Sequence, residues 1–151
     1  NRLYGPDSEW PSGYGGCPSP HYYNGVSNKD CAWSEGWANA VALLVPNDHL
    51  YRWASGATAN NETRSGFAAG DSVEGNVAAA FWDWMDKTND GVAPNNDYVQ
   101  LSFDSFLKAF NVQNDDRFLD YWKYWKSLGE WCNPALAALK RNINTAGYTC
   151  P

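Results

Sequence analysis

Glu35 is the residue of this chain whose surroundings most demand a chemical partner. It lies in Cys31-Ala-Trp-Ser-Glu-Gly-Trp-Ala-Asn-Ala-Val-Ala-Leu-Leu-Val45, a run otherwise made of small and apolar residues. The run reads as a helix over about 30–45, capped by Asp30 and stopped by Pro46. A carboxylate set among such neighbours costs on the order of several kcal/mol to desolvate unless a metal, a cation or good donors meet it. Asn39 follows four residues later and therefore stands on the same face. Two chemistries suit a buried acid: ligation of a metal, or proton transfer from a carboxyl held protonated by its environment.

Other residues join it as candidates. Glu74 and Asp71 lie in Asp71-Ser-Val-Glu74, which has the form of a capping box. Either acid could serve as base or nucleophile beside Glu35, as could Asp48. His21 sits between aromatics close to Cys17, whereas His49 follows Asn-Asp in a loop and reads as exposed. With only these two histidines, a helical His-x-x-x-His zinc pair is impossible within the chain. Asp86, Thr88 and Asp90, followed by Gly91, begin like a calcium loop, although Pro94 interrupts it and no closing Glu follows. No Gly-x-Ser-x-Gly elbow supports a serine nucleophile. Trp37, Trp53 and Tyr23 are candidates for contacting substrate, and the loop aromatics Tyr22, Trp10 and Tyr14 could line a sugar or peptide groove.

The elements that must position these groups are helical. A second helix follows Asp71, with Val73, Val77, Ala80, Phe81 and Trp84 on one stripe. Ser102 caps a short third helix, Asn114 or Asp115 opens a fourth that stops at Gly129, and Asn133-Pro134 begins a fifth. No segment shows the sustained alternation of a strand. The expected fold is all-α, about five helices with long ordered loops in a single domain of 151 residues, its first 30 residues irregular. Cys17, Cys31, Cys132 and Cys150 allow three pairings, of which Cys17–Cys31 with Cys132–Cys150 is preferred as the local one. The absence of any Cys-x-x-Cys argues against a zinc–thiolate site. The sequon Asn61-Glu-Thr63 marks Asn61 as a glycosylation candidate, and together with the cysteines it points to a secreted, oxidised protein.

Composition excludes several partners. The formal net charge is −6, no Lys/Arg cluster is present, and nucleic acid and anionic membrane surfaces are therefore poor partners. No apolar run approaches the length of a membrane span. Asn1 in place of an initiator Met suggests a processed chain.

Cys17-Pro-Ser-Pro-His-Tyr, Asn24-Gly-Val-Ser, Cys31-Ala-Trp-Ser-Glu-Gly-Trp-Ala and Asp71-Ser-Val-Glu-Gly-Asn-Val-Ala together resemble secreted microbial zincin-like metallopeptidases of the gluzincin type. The resemblance implies that Glu35-Gly-Trp-Ala-Asn39 corresponds to the helix that gives such enzymes their third zinc ligand. Glu35 would then ligate zinc, Asn39 would stand where those enzymes carry an orienting Asp, and His21 or Tyr22 would be a transition-state donor. The His-Glu-x-x-His helix of that family is missing, and in relatives it would precede the first residue here. The resemblance thus implies either a peptidase whose zinc histidines come from an N-terminal segment of the same precursor, or a derivative without zinc chemistry. Its substrate would be polypeptide. Two other readings stand beside it: a lysozyme-like glycoside hydrolase acting on polysaccharide with Glu35 as general acid, and a non-catalytic module binding glycan or protein through its aromatic loops.

Overall fold

In the computed structural model, residues 17–86, 99–110, 117–129, 132–143 and 147–151 are described. They contain five helices and one two-stranded sheet. Helix α2 (Glu74–Met85) is buried at every position from Glu74 to Trp84. A helix buried on all sides lies at the centre of a fold, even though this one carries Glu74, Asn76 and Asp83. Helix α1 (Lys29–Leu44) lies along it and buries Ala32, Trp33, Gly36, Trp37, Ala40 and Leu43, the three-and-four spacing of one helical face.

The two helices meet at Gly36. A Cβ built there would stand 2.6 Å from Val77 Cβ and 2.8 Å from the Glu74 carbonyl oxygen, so only glycine permits this approach. The cap of α1 departs from expectation: Asn28, one residue before the helix, accepts the Cys31 amide at 2.7 Å. Asp30 points instead to Arg117, whose Nε donates to it at 2.9 Å. The capping box at α2 is likewise not formed. Val73 precedes the helix with no side-chain cap, and Asp71 accepts from Tyr148 Oη at 2.9 Å and pairs with Lys29 at 3.1 Å.

Helices α3 (Phe103–Phe110), α4 (Phe118–Ser127) and α5 (Cys132–Asn142) complete the core, α5 along α2 and the rings of α3 and α4 against both α1 and α2. Ser102 caps α3 as expected, its Oγ accepting the Ser105 amide at 3.1 Å. Trp84 carries the junction: its ring packs on Phe81, Phe118, Tyr121, Trp122 and Trp125, and its Nε1 donates to the Ala135 carbonyl. The disulfides are Cys17–Cys31 and Cys132–Cys150.

One element lay outside the expected inventory. Strands β1 (Leu50–Arg52) and β2 (Thr58–Asn60) pair antiparallel, with Tyr51 opposite Ala59. Three residues per strand are too few to show alternation in the sequence. The hairpin stacks Tyr51 on Tyr23 and leans Trp53 against both rings. Asn61, which ends it, is fully buried, accepting from Tyr23 Oη at 2.8 Å and donating to the His49 carbonyl at 3.0 Å. A glycan on that amide nitrogen would have to displace the packing around Asn61.

Candidate functional site

Three segments converge on the start of α2. Backbone bonds tie the stretch that carries His21 to the stretch that leads into Glu74. The Gly75 amide donates to the Tyr23 carbonyl at 2.8 Å, Ser27 to Ser72 at 2.8 Å, and Ala68 to Asn24 at 2.9 Å. Gly75 has no room for a side chain, because its Cβ would fall 2.5 Å from Phe67 and 2.7 Å from Tyr23. The Cys17–Cys31 bridge anchors the same stretch to the first turn of α1. Glu35, one turn further along α1, is adjacent to Gly36 and so is brought to Glu74 by the close helix contact.

The result is a cluster of His21, Glu35 and Glu74 around one disulfide. His21 Nε2 lies 3.5 Å from Glu74 Oε1. Its Nδ1 lies 3.0 Å from the Pro18 carbonyl, which can only accept, so Nδ1 carries hydrogen. Nε2 therefore faces a carboxyl oxygen with either a lone pair or the second proton of an imidazolium. The arrangement suits one proton shared between imidazole and carboxyl. Cys31 Sγ lies 3.9 Å from Glu74 Oε1 and Cys17 Sγ 4.0 Å from Glu35 Oε1, contacts without a proton because both sulfurs are in the disulfide.

Glu74 is nearly inaccessible, while the His21 side chain keeps a third of its surface exposed. Burial pushes the Glu74 carboxyl above its ordinary range, His21 opposes that shift, and the negative charge of Glu35 adds to it. The sign of the pH effect follows. A folded-state pKa above the ordinary value of 4.5 stabilises the fold below that value, and the contribution is lost as pH rises through the folded pKa. Replacing Glu74 by Gln removes that loss. The melting temperature of Glu74→Gln, relative to the parent, is expected to be higher at about pH 7 than at about pH 4. A relative value that stays flat or falls between the two would count against a buried Glu74 that resists ionisation.

The other candidates separate. Asp71 is engaged by Tyr148 and Lys29, away from the proton-sharing pair. Asp48 lies beyond Leu44, the far end of α1, which is itself nine residues and about 14 Å of helix from Glu35. There the Leu50 amide, and then the Arg52 guanidinium, hold its carboxyl below the usual range. Asn39 is buried one turn after Glu35, and Tyr22 is well exposed beside His21. Trp37 and Tyr23 are core residues rather than groove residues: Trp37 packs on Phe81 and Phe106, and Tyr23 fills the space over Gly75. Trp53 remains partly exposed at the edge of the hairpin. Asp86 is a buried residue at the end of α2. Thr88, Asp90, Trp10 and Tyr14 lie outside the described residues.

Glu74, whose spacing from Asp71 matches a cap, lies instead beside His21. The useful signal was Glu35-Gly36, an acid followed by the smallest residue on a helix face.

The model of the mycolysin C-terminal domain family matches residues 1–142, nearly the whole chain. The chain belongs to that family. Mycolysin C-terminal domains are found in secreted zincin metallopeptidases, which agrees with the coarse resemblance read from the sequence. No curated protein and no solved structure matches the chain. Among the described residues of this mycolysin C-terminal domain, no helix is long and apolar enough to cross a membrane.

Zinc chemistry asks for more ligands than this cluster supplies. Among the described residues, one group brings three metal-type donors within 4.8 Å of one another: Cys17, His21 and Cys31. Its sulfurs are bonded to each other, and the ligand form of cysteine is the thiolate. In the oxidised domain the two sulfurs are therefore not ligands, and this group does not complete a zinc site.

Proposed function

We propose that this domain is a secreted hydrolase component of the zincin type, in which Glu35 is the carboxylate presented to a zinc ion whose histidine ligands lie on another segment of the precursor. The observation that carries this reading is the placement of Glu35. It sits half-buried on α1 beside the Glu74–His21 pair, in a chain of the mycolysin C-terminal domain family. Bound zinc would supply a Lewis acid for a peptide carbonyl and for water. The residues of this chain would do three things. Glu35 would present its carboxylate, Asn39 would support it from the next turn, and His21 with Glu74 would hold one proton near the developing charge. Tyr22, exposed next to His21, would face substrate.

The test joins this domain to a segment bearing His-Glu-x-x-His and measures zinc by mass spectrometry of the native protein. One zinc per joined protein is expected, with metal affinity in Glu35→Gln reduced at least ~10-fold and peptide hydrolysis lost with it. Full zinc occupancy in a folded Glu35→Gln protein would remove Glu35 from the site. Polysaccharide turnover that survives EDTA would replace the reading with a two-carboxylate glycosidase.

A further inference from the structure

We propose that the Cys17–Cys31 bridge is one of two states of a redox-gated metal site, and that its reduction creates a binding site for zinc made from Cys17, Cys31, His21 and Glu74. This inference does not depend on the role assigned to Glu35, which concerns the oxidised domain.

The geometry carries it. Tetrahedral zinc with bonds of about 2.0–2.3 Å sets its ligand atoms roughly 3.3–3.8 Å apart. The His21 Nε2 to Glu74 Oε1 separation is 3.5 Å, and Cys31 Sγ to Glu74 Oε1 is 3.9 Å. Cys17 Sγ, Cys31 Sγ and His21 lie within 4.8 Å of one another. Three donors are thus clustered, Glu74 Oε1 lies within 4 Å of two of them, and the sulfur–sulfur bond keeps both cysteines from acting as ligands. The histidine is already in the ligating tautomer. Its Nδ1–H points at the Pro18 carbonyl, the backbone support usual for a metal-bound imidazole, and its Nε2 faces the cluster. Two thiolates, an imidazole and a carboxylate form a donor set suited to zinc.

The scaffold around the site does not rest on the disulfide alone. The Gly75–Tyr23, Ser27–Ser72 and Ala68–Asn24 backbone bonds, and the Asn28 cap on the Cys31 amide, hold both sides of the cluster. Cys17 is part-exposed and gives a reductant access, while Cys31 is buried.

The steps balance. Two equivalents of a small thiol reduce the bridge by thiol–disulfide exchange, giving two cysteine thiols and one small-molecule disulfide. Zinc then displaces the two thiol protons as it binds. Exchange of the dithiol with a disulfide re-forms the bridge, returns the two small thiols and releases the ion. A cytosolic or newly exported chain would hold zinc where the mature secreted one holds a covalent staple.

The experiment uses the full chain, reduced anaerobically with a water-soluble phosphine and titrated with cobalt(II) and then zinc(II). A variant with Cys132→Ala and Cys150→Ala removes the other thiol pair. The expected result is one cobalt per chain with a thiolate charge-transfer band, seen only after reduction and displaced by zinc. The band persists in the Cys132→Ala/Cys150→Ala variant and is absent from a Cys17→Ala/Cys31→Ala variant. In His21→Ala the affinity falls at least ~10-fold. The same titration in strong guanidinium reports on the unfolded chain, where the four donors are no longer together. No band after reduction, undiminished affinity in His21→Ala, or equal affinity in guanidinium would each overturn the proposal.

Discussion

Trp84→Ala is expected to lower the melting temperature by on the order of 10 °C, the largest effect of any single substitution considered. The side chain is fully buried where α2 meets α4 and α5. Truncating a core tryptophan to alanine costs about 3–5 kcal/mol, through lost transfer energy and the cavity left behind. The Nε1–H bond to the Ala135 carbonyl goes as well, at a further cost of about 1 kcal/mol. The five ring neighbours cannot all collapse inward, since they belong to α2 and α4 and already pack on one another. For a chain of this size each kcal/mol moves the midpoint by roughly 2–4 °C. Thermal unfolding followed by far-ultraviolet circular dichroism measures it. A drop of less than about 4 °C would mean that this junction contributes far less than its burial implies.

Gly36→Ala is the second large effect, and its sign runs against helix propensity. Alanine in an exposed helix interior gains about 1 kcal/mol over glycine. Here the added methyl would meet Val77 Cβ at 2.6 Å, Val77 Cγ1 at 2.9 Å and the Glu74 carbonyl at 2.8 Å. None of these atoms is the free end of a flexible side chain, so α1 must move away from α2. Overpacking of this kind costs about 1–3 kcal/mol or more, which exceeds the propensity gain. A net loss of about 1–2 kcal/mol in urea unfolding is expected. The same displacement draws Glu35 away from Glu74, so the pH dependence that Glu74 contributes should shrink in the variant. A Gly36→Ala chain as stable as its parent would show that the helices are not held at contact distance.

Legibility in the sequence followed the length of the signal. The α1 run and the α2 stripe span four and three turns, long enough for period and composition to declare them. Trp37, a candidate for contacting substrate, is four residues after Trp33 and shares its buried face. A periodicity argument applied strictly would have placed it in the core. The hairpin at Leu50–Asn60 was invisible, because its strands are shorter than one unit of any pattern. The cluster of His21, Glu35 and Glu74 was only half-visible. Each residue was suspect for a local reason, but what unites them is a glycine contact and three backbone bonds between distant segments. Asp71-x-x-Glu74 shows the opposite failure: a local motif matched, and tertiary bonds from Tyr148 and Lys29 claimed the aspartate instead.

The stacked indoles at the heart of the helical layer have an optical consequence. Trp84 and Trp125 lie 5.0 Å apart with planes 20° from parallel, and Trp122 lies 5.5 Å from Trp125. Chromophores this close and this fixed couple their excited states, so the native protein carries a chiral exciton signature that no isolated tryptophan gives. The Trp84 part of that signature vanishes when α2 and α4 part, while the Trp122–Trp125 part lasts as long as α4 itself. The domain therefore contains its own label-free reporter, one that distinguishes a loosened core from a melted backbone in a single spectrum.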